Sequence, residues 1–139
     1  MDKFIWEDQY GVGIKIIDDQ HKRFFEIANE IYDILQKEPV PKDALAFTIT
    51  KLGDYALFHL STEEKYFKEF KYDGLADHVK KHDYFREKVA GYLEKIRGLG
   101  DDYETIAEEM GNFSESWLTN HILETDKKYT QCFKEHGLS

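Results

Sequence analysis

A chain of 139 residues that is 41% hydrophobic and 34% charged has the size and balance of one globular domain. Its formal net charge of −9 argues against a nucleic-acid partner, which calls for clustered Lys and Arg, and against an anionic membrane surface. No apolar run approaches the ~20 residues of a membrane span, residues 1–8 lack a signal-peptide core, and a cytoplasmic protein is expected.

Cys132 is the single cysteine, so no internal disulfide is possible. It reads as a small apolar residue on the last helix. A chain of this length buries roughly two-thirds of its unfolded surface, enough for a real core with a site inside it.

Residues 1–17, with Gly11 and Gly13, read as an extended arm anchored by Trp6 and Tyr10. A helical pattern over about 18–37 follows, with Ile17, His21, Phe24, Phe25, Ala28, Ile31, Tyr32 and Leu35 at the steps of a core-facing stripe. Asp18 and Asp19 suit its positive end, and Pro39 and Pro41 stop it. A second helix over about 43–70 carries Leu45, Ile49, Leu52, Ala56, His59, Glu63, Phe67 and Phe70. Lys71-Tyr72-Asp73-Gly74 is a turn. A third helix over about 75–97 presents Leu75, His78, His82, Phe85, Val89, Leu93 and Ile96. After Gly98-Leu99-Gly100-Asp101-Asp102, a fourth is expected over about 103–135, with Ile106, Met110, Phe113, Trp117, His121, Ile122, Asp126, Tyr129 and Phe133. Four amphipathic helices with short links predict one all-α domain over 1–139, an antiparallel up-down-up-down four-helix bundle.

Five of the six histidines lie on those inward stripes with two acids: His21, His59 with Glu63, His78 with His82, and His121 with Asp126. Residues four apart return to one helix face, whereas His121 and Asp126, five apart, would diverge by about 140° and share a target only if it lay between them. In an antiparallel bundle all seven fall at one end. A lone histidine on an apolar stripe is more often a hydrogen-bonded core residue, and one His-x-x-x-Glu is weak. Seven such groups at one level would be costly to bury without a cation. They exceed the four ligands of one tetrahedral zinc. Five imidazoles argue against calcium and magnesium, and the absence of cysteine removes iron–sulfur and blue-copper sites. Two ions bridged by two carboxylates would use all seven, with iron favoured.

With Trp6, Gly11-Val12, Ile17-Asp18-Asp19-Gln20-His21-Lys22 and Trp117-Leu118-Thr119-Asn120-His121-Ile122, this arrangement resembles the hemerythrin family over nearly the whole chain. The resemblance implies two iron ions with an oxo or hydroxo bridge. His78, His82 and His121 would hold one, His21 and His59 the other, and Glu63 and Asp126 would bridge them. One position would stay open for dioxygen as ligand, in a dry pocket lined by Phe24, Leu60, Trp117, Leu118 and Ile122. It implies reversible oxygen binding for storage, transport and delivery, or scavenging, rather than an enzyme activity. The alternatives are an oxygen, redox or nitric-oxide sensor acting on a protein partner, or a di-iron oxidase or peroxidase. Glu64, Asp77, Lys80, Lys81 and Asp83 read as solvated, and His136 as a surface residue.

Overall fold

The computed structural model describes residues 3–97 and 103–139; the expected break at 98–102 lies outside them. Four long helices, α1 (Lys15–Leu35), α2 (Lys42–Glu69), α3 (Leu75–Arg97) and α4 (Tyr103–Glu124), form the bundle, and a short α5 (Thr130–Glu135) follows. There is no strand among the described residues. Each long helix packs on its neighbours in chain order, and α1 closes onto α4. The register is antiparallel: on α2 and α3, Gly53 lies against Val89 and Leu93 while Phe67 meets His78. No helix is long and apolar enough to cross a membrane among these residues.

The bundle interior is a continuous apolar core. Ile31, Leu45, Ile49, Leu52, Phe85, Ala107 and Met110 are all fully buried. At α2–α3 the helices approach so closely that a Cβ on Gly53 would stand 3.2 Å from Leu93. In the following turn, a Cβ on Gly74 would lie 2.7 Å from the Tyr72 ring, so glycine is needed for that ring to fold back over the bundle end.

The N-terminal arm is held at named points. The Phe4 backbone N–H donates to Asn29 Oδ1 at 2.8 Å, and Asn29 Nδ2 donates to the Phe4 carbonyl at 2.9 Å. Phe4, Trp6 and Tyr10 gather around Phe25, and the Lys22 ammonium sits 5.3 Å from the Trp6 ring centre. Gly13 has φ +80°, the left-handed region that favours glycine. That turn aims the Val12 N–H at Asp18 Oδ1, 2.7 Å away, while Thr130 donates to the Val12 carbonyl at 2.7 Å. Asp18, in the first turn of α1, thus ties the Val12 and Gly13 amides of the arm to the helix that carries His21.

Two expected elements differ: the arm, expected to be extended over 1–17, contains a 3-10 turn at Asp8–Tyr10 and gives way to α1 at Lys15, and the fourth helix is shorter. The single helix expected to run to 135 ends at Glu124, and Asp126–Tyr129 form a 3-10 turn before α5. Thr125 departs from helical geometry, with φ −120° and ψ −52°. Its hydroxyl accepts from Lys81 at 3.3 Å.

Candidate metal centre

The end of the helix at Thr125 decides where Asp126 points. In an uninterrupted helix its carboxylate would diverge from His121 by about 140°. After the break, Asp126 Oδ1 lies 2.9 Å from His121 Nε2 and 3.1 Å from His78 Nε2, and Asp126 Oδ2 lies 3.2 Å from His21 Nε2. Glu63 Oε1 lies 3.4 Å from His59 Nε2 and 3.3 Å from His82 Nε2. All seven residues are 95% or more buried. Their donor atoms form two clusters, one from Glu63, His78, His82, His121 and Asp126, the other from His21, His59, Glu63 and Asp126. Within each cluster the donor atoms lie within 4.8 Å of one another. Both carboxylates belong to both clusters.

Most of these atoms have no aligned hydrogen-bond partner among themselves. His21 Nε2, His59 Nε2, His82 Nε2, Glu63 Oε1 and both Asp126 oxygens are buried without an aligned hydrogen-bond partner. His78 Nε2 and His121 Nε2 face one another at 2.9 Å, where one proton serves two nitrogens. Such an interior costs several kcal/mol as a purely structural arrangement. Nitrogen and carboxylate donors in two sets with both carboxylates in common fit a pair of imidazole-tolerant divalent cations. The donor set therefore fits the metal that its chemistry implies.

Electrostatics keep the carboxylates charged. Burial and Asp126 would raise the Glu63 pKa, but the His59 and His82 imidazoles outweigh them and hold it at about 2. For Asp126, burial is likewise overcome, by His121, His21 and His78, and its pKa falls well below the usual range. Burial drives His59 down to about 3 despite Glu63, and also lowers His78. His82 goes the other way: burial opposes its charge, but the Glu63 and Glu64 carboxylates push its pKa up to about 9.

Three residues that the sequence does not single out complete the site. Gln20 Oε1 accepts from His59 Nδ1 at 2.8 Å, fixing that ring so that Nε2 faces inward. Glu64, expected on a solvated face, is half-buried and accepts from His82 Nδ1 at 2.7 Å. The Tyr129 hydroxyl is fully buried and donates to Glu63 Oε2. Burial, with Glu63 adding to it, raises the Tyr129 pKa well above 10. The only sequence signal for Tyr129 is a hydroxyl on an otherwise apolar stripe, three residues past Asp126. Lys81 also departs from its solvated expectation, being half-buried, whereas Asp77 and Asp83 are exposed. His136 is exposed, with its ring on Phe70, and Cys132 is half-buried on α5.

Of the residues expected to line a pocket, Phe24, Leu60, Leu118 and Ile122 are 1% exposed or less. Trp117 is half-buried and stacks on the His121 ring, with centroids 4.3 Å apart. A family model described as "Hemerythrin HHE cation binding domain" matches residues 12–132.

The chain belongs to the hemerythrin family. It is 38% identical over 128 residues to a bacteriohemerythrin of Clostridium acetobutylicum, covering 91% of this chain and 98% of that one. It is 30% identical to a myohemerythrin of Sipunculus nudus, covering 92% of each chain. Among solved structures, a wild-type hemerythrin crystal structure superposes with a TM-score of 0.83 at 25% identity, covering 94% of this chain and 98% of that one. The helical layout and its up-down order are thus those of hemerythrins.

Proposed function

We propose that this hemerythrin-family chain is one domain over 1–139 that binds dioxygen reversibly at a carboxylate-bridged pair of iron ions. His78, His82 and His121 would hold one ion and His21 and His59 the other, with Glu63 and Asp126 available to both. The observation that carries this reading is that the two donor clusters share both carboxylates and no imidazole. The three-histidine side has five protein donors and the two-histidine side has four, so the second side is where an exogenous ligand has room. An open coordination position is what separates a reactive metal from a structural one.

A ferrous pair supplies the two electrons that reversible capture of dioxygen requires. The chain's own residues do the rest. Gln20 fixes the His59 ring, and Tyr129 holds Glu63 through its second oxygen. Leu60, Leu118, Ile122 and Phe24 keep water from the buried donors, and Trp117 covers the His121 face. Five neutral imidazoles stabilise the higher iron charges less than the carboxylate-rich shells of di-iron oxidases do. That favours binding and release over oxidation of a substrate, and a role in oxygen storage, delivery or scavenging.

The test is anaerobic loading with ferrous iron, exposure to air, then evacuation. A visible absorption band that appears in air and disappears under vacuum over several cycles supports the reading. Continuous consumption of dioxygen and an added reductant contradicts it and makes the centre an oxidase.

A further inference from the structure

The histidines that flank Glu63 are supported by different partners. His59 Nδ1 meets a neutral amide oxygen, that of Gln20, at 2.8 Å. His82 Nδ1 meets a carboxylate, Glu64 Oε2, at 2.7 Å. That same oxygen also accepts from Arg86 Nη1 at 2.8 Å, and Arg86 is in turn 3.0 Å from the exposed Asp83. His82 and Arg86 lie one turn apart on α3, so Glu64 on α2 bridges both. The His82 ring is fully buried and the Glu64 side chain only 16% exposed, so little water screens the contact.

A carboxylate on the far nitrogen of an imidazole draws its N–H proton outward and leaves the inward nitrogen a stronger donor. An amide oxygen does this more weakly. A stronger donor stabilises the ferric over the ferrous ion. On the di-iron reading above, we propose that Glu64 is a tuning residue that lowers the reduction potential of the ion held with His82, that Gln20 withholds this effect from the ion held with His59, and that Arg86 sets its strength. The asymmetry lies in the chain's surrounding hydrogen bonds rather than only in the count of histidines. Arg86 shares the oxygen that His82 uses, so it drains charge from Glu64 and moderates the effect.

Glu64→Gln carries one expected sign, and Arg86→Gln and Gln20→Glu the opposite one. Glu64→Gln replaces a charged acceptor with a neutral one and raises the midpoint of one one-electron step. A tenfold loss of ferric preference corresponds to about 59 mV for one electron. Arg86→Gln leaves Glu64 more negative and lowers that same midpoint. Gln20→Glu places a carboxylate on His59 and lowers the midpoint of the other step. The experiment is an anaerobic mediator titration of the iron-loaded wild type and variants. The half-oxidised form is followed by electron paramagnetic resonance, and iron content is measured on every sample. Glu64→Gln shifting up and Arg86→Gln shifting down, each with two irons retained, supports the inference. Both shifting the same way indicates a merely structural role and overturns it, as does no shift in Glu64→Gln. Fewer than two irons in the wild type is a failure of the di-iron reading, seen before any variant is compared. If Glu64→Gln fails to hold iron, Gln20→Glu decides on the other side: an unmoved midpoint there overturns the proposal.

Discussion

At one end of the bundle, Ile31, Ile34, Leu45, Ile49, Leu52, Val89 and Met110 fill the space between the helices. At the other end, the same inward stripes carry His21, His59, Glu63, His78, His82, His121 and Asp126, just as fully buried. The apolar end is stabilised by water exclusion and close packing. The polar end buries two carboxylates among unpartnered nitrogens, which a bundle tolerates only when something satisfies them. The same helices and the same spacing thus serve as a scaffold at one end and a cation cage at the other. Stability at the first end depends on shape; on the proposed reading, stability at the second depends on a bound cation.

The sharpest way to separate the ends is to remove metal. A cation at 1,000 times its dissociation constant stabilises the fold by about 4 kcal/mol. Chelation of the loaded protein is expected to lower the unfolding free energy by at least that much. Amide exchange should increase around Gln20–Phe24, Leu60–Phe67 and His121–Tyr129 and change little around Leu45–Leu52. Uniform exchange across both ends would erase the distinction. Leu52→Ala attacks the other end and is expected to cost about 3 kcal/mol, within the range for emptying a buried leucine site. Its bound metal, by elemental analysis, should be unchanged.

Tyr129→Phe leaves Glu63 Oε2 without its donor, at a cost of about 1–2 kcal/mol. In the metal-free protein that loss should be seen in denaturant unfolding. A neutral result would mean that the hydroxyl has no hold on Glu63. The pH dependence follows from His82, whose pKa is pushed up to about 9 in the metal-free fold. A raised folded pKa contributes stability that is fully present below about 6.5 and is lost as pH rises through about 9. Metal must displace that proton, so ferrous affinity is expected to rise up to tenfold per pH unit as pH approaches about 9 and then level. A flat profile by competition with a chelator would show His82 neutral before metal arrives. The smallest effect is kinetic: Leu118→Ala opens the apolar cover and is expected to speed autoxidation several-fold with iron content intact, as read from the decay of the oxygenated spectrum.

The bundle and the donor set are legible in the sequence because they rest on local spacing. His59/Glu63 and His78/His82 are four apart, and four apolar stripes of similar length leave few other packings. The break after Glu124 is not legible. A five-residue spacing fits a continuous helix, and Thr125 alone is too weak a breaker to announce a turn. Glu64 is hidden for another reason. Its partners His82 and Arg86 lie across a helix pair, and beside Glu63 it looks like one more solvated acid. Gln20 sits next to a ligand in sequence but contacts His59, 39 residues away. Hydrogen bonds that orient ligands depend on interhelical register, which residue spacing within one helix does not encode.

The measurement that bears most directly on the central claim is anomalous diffraction at the iron edge from crystals of the ferrous-loaded protein. Two peaks per chain are expected, both touching Glu63 and Asp126, one beside His78, His82 and His121 and the other beside His21 and His59. A single peak, or two that do not share the carboxylates, would contradict it.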